Sequence, residues 1–255
     1  MIEVQELRKQ FKLTRQQKKE MATTANNSAI EALAGVTFTC QPGRVFSLLG
    51  PNGAGKTTAL RLIATMLKPT AGAIRVCGYD TVKEPLAVRR RIGFLTGATG
   101  LYDRLTPNEL VKYYANLHNV EKSAFQKRRD ELFARLEMNS FANRRISKLS
   151  TGMKQKVSIV RTIIHDPQVV IFDEPTAGLD VISARSIIDL IREFRAKGKT
   201  VIFSTHIMGE VSLLSDDLAI IHKGRLCYNG SYSAFVAGMK TKSLEDEFIR
   251  FVEDA

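Results

Sequence analysis

Apolar and polar residues alternate over short stretches at the start of the chain, as at Ile2/Val4 and Val36/Phe38. A period of two predicts antiparallel strands. Between them, Thr14 to Ser28 is polar and basic and reads as an exposed hairpin extension or a mobile loop. The pattern then changes. Val45 to Leu49 is an apolar run, and Leu60, Ile63, Ala64 and Leu67 recur at helical spacing until Lys68-Pro69, where the helix is expected to stop. Further strand pieces are expected at Ile74–Val76 and Ile92–Leu95.

From about 100 to 165 the periodicity is helical. Thr106-Pro107-Asn108-Glu109 has the layout of a helix start, with Thr106 as cap, Pro107 in the first turn and Glu109 completing a capping box. Leu110, Tyr113, Tyr114 and Leu117 would share one apolar face. A second helix is expected near Phe125 to Glu137, with Leu132, Phe133 and Leu136 inward, and a third over Lys154 to Ile164. A strand–helix rhythm resumes at 168. Val169 to Phe172 is continuously apolar, as in a strand buried on both faces. Ile187, Ile188, Ile191 and Phe194 line a helix ending at Gly198, and Val201–Phe203 and Leu218–Ile221 supply two more strands. The fold class is α/β: a mixed or parallel-sheet lobe with an N-terminal antiparallel portion and an inserted helical subdomain. The expected division is 1–96 and 166–230 for the core, 97–165 for the helical insert and 231–255 for a C-terminal tail.

One junction carries the chemistry. Gly50-Pro51-Asn52-Gly53-Ala54-Gly55-Lys56-Thr57-Thr58 follows the Val45 strand and opens a helix. The spacing G-x-x-x-x-G-K-T lets backbone N–H groups curl around a polyphosphate, with Lys56 reaching the outer phosphates and the Thr57 hydroxyl ligating Mg²⁺. The positive end of the helix dipole adds to the attraction.

Composition narrows the setting. The 255 residues are 44% hydrophobic, enough for one large domain or two lobes sharing a site. No run reaches the roughly 18 apolar residues a membrane helix needs, and the start of the chain lacks the layout of a secretory signal. Cys40, Cys77 and Cys227 are odd in number and far apart, which suits buried thiols rather than a disulfide framework or a zinc site. A formal charge of +12 would suit nucleic acid, anionic lipid or acidic partners, or simply a solvated basic surface. Charge alone does not choose among these; the basic clusters are not interleaved with base-stacking aromatics, and no nucleic-acid partner is expected.

Asp173-Glu174 falls where a buried strand emerges, at the sheet edge where ligands collect in open α/β folds. Asp173 is placed to hold Mg²⁺ through water, and Glu174 to act as general base on the attacking water. His206 follows a strand ending on the same edge, so the γ-phosphate is its expected neighbour; His118, His165 and His222 are assigned structural roles. Leu149-Ser150-Thr151-Gly152-Met153 precedes a helix, where Ser150 serves either an anion-binding N-terminus or an ordinary N-cap.

With these motifs in order, the chain resembles the ATP-binding subunits of ABC transporters over nearly its whole length. Gly50 to Thr58 is similar to the Walker A loop, Val169 to Glu174 to the Walker B strand, and Leu149 to Met153 to the signature. Ala177-Gly178-Leu179-Asp180 resembles the D-loop, His206 the switch histidine, and Phe11 the aromatic that stacks on adenine, although a core position would also suit a phenylalanine. The resemblance implies ATP and Mg²⁺, a homodimer closing head to tail on two nucleotides, and a separate membrane permease docked in a groove beside residues 95–115. The chain would then sit at the cytoplasmic face of the membrane. Lys56, Thr57, Asp173, Glu174 and His206 would act in one copy, with Ser150 and Gly152 reaching the other copy's γ-phosphate and Asp180 beside the nucleotide.

Two departures stand out: Gly97 where the family usually carries Gln, and STGM where SGGQ is common, through Thr151 and Met153. Gly93–Gly97 with Gly100–Thr106 resembles ATPases of sodium-exporting systems, a group close to drug and antibiotic exporters. Soluble family members acting on ribosomes join two nucleotide domains in one chain, and this chain has a single phosphate loop. Those acting on chromosomes carry long heptad inserts, and this insert is short.

Overall fold

The computed structural model describes residues 1–13, 29–96 and 100–253. Two sheets organise them. A four-stranded antiparallel sheet has the order β2-β1-β4-β5, from Ile2–Lys12 (β1), Ala29–Cys40 (β2), Ala71–Val76 (β4) and Tyr79–Asp80 (β5). Val4 pairs with Phe38, two of the alternating residues read from the sequence, and Ile2 pairs with Cys40. A six-stranded sheet has the order β10-β9-β3-β8-β7-β6, from Arg225–Ser231, Asp217–His222, Val45–Leu49, Thr200–Thr205, Val169–Asp173 and Ile92–Leu95. Within it β9, β3, β8, β7 and β6 run parallel and β10 turns back antiparallel to β9.

The continuous apolar strands split by period two onto separate cores. Val170 and Phe172 of β7, with Val201 and Phe203 of β8, face the helices between Pro107 and Ala196. Val169, Ile171 and Ile202 face the antiparallel sheet and the first helix. Nine α-helices are described: Lys56–Ile63 (α1), Pro85–Arg89 (α2), Pro107–Leu117 (α3), Lys122–Arg135 (α4), Thr151–Ile163 (α5), Val181–Ala196 (α6), Met208–Leu214 (α7), Tyr232–Ala237 (α8) and Leu244–Glu253 (α9). None is long and apolar enough to cross a membrane, among the described residues.

Several expectations shift. Helix α1 ends at Ile63, not at Lys68: Thr65 takes a left-handed φ of 60°, and the Met66 amide closes back on the Arg61 carbonyl at 2.9 Å. The Thr106 capping box forms, with the Glu109 carboxylate accepting from Thr106 N at 2.8 Å. Its helix nevertheless buries Leu110, Val111 and Ala115, while Tyr113 and Leu117 are exposed. The inward face is thus rotated toward the smaller residues that fit against α5. Cys40 is buried, but Cys77 and Cys227 are only half-buried. Helix α4 starts at Lys122, where Glu121 accepts from the Ser123 and Ala124 amides, and α5 starts at Thr151.

Candidate functional site

The parallel register sets the site. Leu49 lies opposite Thr205 and Asp173 opposite Ser204, so β3, β8 and β7 end side by side. Gly50, Glu174 and His206 continue from those three ends.

The loop from Gly50 to Thr58 is packed so closely that side chains would not fit at two of its glycines. A Cβ on Gly50 would come within 2.3 Å of the Ile221 carbonyl, and one on Gly55 within 2.6 Å of the Ala32 carbonyl. Gly55 also holds a φ of 111° as it enters α1, a conformation open to glycine. Behind the loop, the Gly224 amide donates to Ala54 O at 2.9 Å. Pro51, Asn52, Gly53, Ala54, Gly55, Lys56, Thr57 and Thr58 line a cavity of ≈ 160 Å³ together with Ala32 and Glu174.

Five polar side chains converge there. Lys56 is buried at 4% exposure, and its ammonium donates to Gly50 O at 2.7 Å and Pro51 O at 3.1 Å while standing 3.5 Å from Glu174 Oε1. The Thr57 hydroxyl donates to Asp173 Oδ1 at 3.0 Å. His206 Nδ1 lies 3.3 Å from Glu174 Oε1. Glu174 has a φ of 49°, a left-handed conformation unusual for a residue with a side chain, and it turns the chain sharply out of β7. The donor set fits Mg²⁺, which takes oxygen ligands and binds through one or two carboxylates plus phosphate. The Thr57 hydroxyl and the Asp173 carboxylate supply such oxygens side by side.

Ser204 belongs to this arrangement although the sequence reading passed over it. Its hydroxyl donates to Asp173 Oδ1 at 2.7 Å and accepts from the Glu174 amide at 3.1 Å. The available signal was a buried serine in an otherwise apolar strand. Gln155 is a second such residue: its side-chain amide donates to Pro175 O at 2.8 Å and ties α5 to the turn after β7.

The remaining candidates lie elsewhere. Ser150 caps α5, accepting from Met153 N at 3.3 Å. Asp180 caps α6, accepting from Ser183 N at 2.9 Å and Ser183 Oγ at 2.8 Å, and these bonds hold its carboxyl below the usual carboxylate range. A Cβ on Gly152 would stand 3.4 Å from Ser183 Oγ and 3.9 Å from Asp180 Oδ2, so the two helix starts are neighbours. Phe11 is 40% exposed on β1, with the Lys9 ammonium 5.1 Å from its ring centroid, and is not a core residue. Gly97, like Thr14 to Ser28, falls outside the described residues. His118 and His165 stack at 3.7 Å between centroids, and burial with the neighbouring imidazole lowers His165 to about 4.

Comparison with known proteins bears on this geometry. A family profile described as ABC transporter matches residues 33–177. The chain is 42% identical over 221 residues to the ABC transporter ATP-binding protein NatA of Bacillus subtilis (strain 168), covering 86% of this chain and 90% of that relative. It is 34% identical to a daunorubicin resistance ATP-binding protein of Streptomyces coeruleorubidus, across 79% of this chain and 64% of the relative. A solved ATP-binding subunit of an ABC transporter superposes with a TM-score of 0.85 at 27% identity, covering 98% of this chain and 99% of that one. A dimeric ATP-binding cassette in a post-hydrolysis state with ADP and Pi gives 0.79 at 26% identity, over 91% and 98%.

Proposed function

The chain belongs to the ABC transporter family as an ATP-binding subunit that hydrolyses ATP to drive transport, and from that premise we propose how its residues divide the work. Lys56 and the loop amides from Gly50 to Thr58 bind the β- and γ-phosphates. Thr57 and Asp173 hold Mg²⁺, which when bound neutralises charge building on the transferred phosphoryl group. Glu174 takes the proton of the attacking water, and His206 orients that water and contacts the γ-phosphate. Phe11 stacks on the adenine. The observation that carries this reading is the convergence of Lys56, Thr57, Asp173, Glu174 and His206 on one sheet edge, linked by contacts of 3.0 to 3.5 Å.

Ser150, Gly152 and Asp180 are proposed to act on the nucleotide held by a second copy. Val181 and Ile182 support this: both are apolar, 86% and 77% exposed, and follow Asp180 directly. Exposed apolar residues grouped beside polar ones suit a protein–protein surface. Two copies would close head to tail on two Mg-ATP, tightening with ATP and parting after hydrolysis because only the triphosphate bridges them. The core would comprise 1–96 and 166–230, with 97–165 as the helical signature part and 231–255 as a tail.

A separate membrane permease is the proposed partner, holding this chain at the cytoplasmic face of the membrane. A groove of ≈ 280 Å³ lined by Met66, Phe94, Tyr114, His118 and Arg161 would receive it. We take the transport to be export, with Na⁺ as cargo, on the resemblance carried by Gly93–Gly97 and Gly100–Thr106. The similarity to a drug-resistance ATPase favours drug export as the second reading. The test is to recover the copurifying membrane protein, place both in vesicles and follow radioactive sodium and daunorubicin. ATP-dependent sodium movement that stops with Glu174→Gln supports the first reading; daunorubicin movement alone replaces it with the second.

A further inference from the structure

Glu210 is buried on α7, among residues that otherwise pack as Val211 and Leu214 do. Both of its carboxylate oxygens are engaged. The Thr176 hydroxyl donates to Oε1, and the Thr205 hydroxyl donates to Oε2 at 2.5 Å. Both threonines are buried as well. Thr205 Oγ1 also accepts from the Ile207 amide at 3.0 Å, which fixes the start of the turn.

The positions of those threonines matter. Thr176 lies two residues after Glu174, and Thr205 directly precedes His206. One carboxylate therefore ties together the two turns that carry Glu174 and His206, whose side chains meet at 3.3 Å. Burying a carboxylate is unfavourable unless its oxygens are bonded, and an apolar residue would fill this place on the helix. What an apolar residue could not do is accept from two hydroxyls on separate turns at once. The turn after β7 needs such a restraint, because Glu174 leaves the strand in a left-handed conformation.

We propose that Glu210 is a positioning residue for ATP hydrolysis, clamping Thr176 to Thr205 and so setting the Glu174 carboxylate against the His206 imidazole. This inference rests on the reading that Glu174 and His206 act on the attacking water. It goes beyond that reading by assigning a role to a side chain that touches neither nucleotide nor water. Through Gln155, bonded to Pro175 O, the clamped turn also connects to the helix that Ser150 caps.

The test is steady-state phosphate release by the full chain, with ATP affinity and thermal midpoint measured on the same samples. Glu210→Leu keeps the volume and removes both acceptors. It is expected to lower kcat about tenfold or more with KM within about twofold, since misplacement by ~1 Å can cost ~100-fold. Glu210→Gln retains one acceptor oxygen and offers an NH₂ to the second threonine oxygen, so it is expected within about threefold of the unaltered chain. Adding Thr176→Val to Glu210→Leu should lower kcat no further, because residues in one network do not act additively.

Unaltered kcat in Glu210→Leu overturns the clamp, as does an equal loss in Glu210→Gln at an unchanged thermal midpoint. If Glu210→Leu does not fold, Thr176→Val alone decides: slower kcat at constant KM supports the clamp and unaltered kcat sinks it. Glu174→Gln in the same assay separates the two ideas. Its full activity would remove the reading of the site itself, whereas an inactive Glu174→Gln beside a fully active Glu210→Leu removes only the clamp.

Discussion

Two regions of this protein treat their polar side chains in opposite ways. At the carboxyl edge of the parallel sheet, Lys56, Thr57, Asp173, Ser204 and Glu174 are drawn from different elements and bond to one another or to the loop. At the paired starts of α5 and α6, Ser150 and Asp180 bond within their own first turns, and Val181 and Ile182 face outward. The difference follows from burial. Polar groups removed from water must find partners across the fold, whereas exposed ones are satisfied locally and leave their surface free. The first region is assembled within one chain; the second leaves an apolar face exposed.

The comparison is most sharply tested at the first region. Lys56→Ala removes the only side-chain cation among the described residues that line the loop cavity. Hydrolysis is expected to fall ~10³-fold in a phosphate-release assay, at the upper end for loss of a single electrostatic group. Glu174→Gln is expected to lower turnover by ~10²–10⁴-fold, the range for a general base, while ATP still binds. Light scattering with ATP and Mg²⁺ should then show the doubled mass of a closed pair. Normal turnover in either variant would mean that the convergence at the sheet edge is structural.

The second region gives a smaller effect with a different signature. Ile182→Asp places a charge on the exposed apolar face without touching the loop cavity. ATP affinity of the single chain should be unchanged, while turnover falls roughly tenfold and the doubled mass is lost in the Glu174→Gln background, because an unpaired charge buried in an interface is costly. Retention of the pair would show that the exposed apolar residues are not covered by a second copy.

How legible each region was in the sequence follows the same division. The phosphate loop is contiguous, and its glycines, lysine and threonine declare their geometry from spacing alone. Asp173, Glu174 and His206 were legible because each ends an apolar strand, and strand ends gather in a parallel sheet. Ser204, Gln155, Thr176 and Glu210 were not, since apart from the Thr205–Glu210 bond their partners are 20 to 34 residues away and depend on register. A buried carboxylate on a short helix has no local pattern to announce it. The rotated face of α3 was hidden for a related reason: periodicity fixes which residues align, but packing against α5 chose Val111 and Ala115 over Tyr113 and Leu117. The early end of α1 depended on a left-handed threonine, which no sequence rule favours.

The smallest effect in a single variant separates a helix cap from a group that reaches across to a second chain. Ser150→Ala removes the acceptor for Met153 N, which should cost about 1 kcal/mol and lower the thermal midpoint by a few degrees, about 2–4 °C for a domain of this size. A cap that acts only locally predicts that stability change and little else. A serine that completes the other copy's phosphate site predicts, in addition, a several-fold loss of turnover that mixing can repair. In a pair formed from Ser150→Ala and Lys56→Ala chains, one site has Lys56 from the first chain and Ser150 from the second, and so is whole. Turnover in the mixture should exceed that of either variant alone, measured at equal total protein. If mixing restores nothing although mixed pairs form, Ser150 is a helix cap and the two regions act independently.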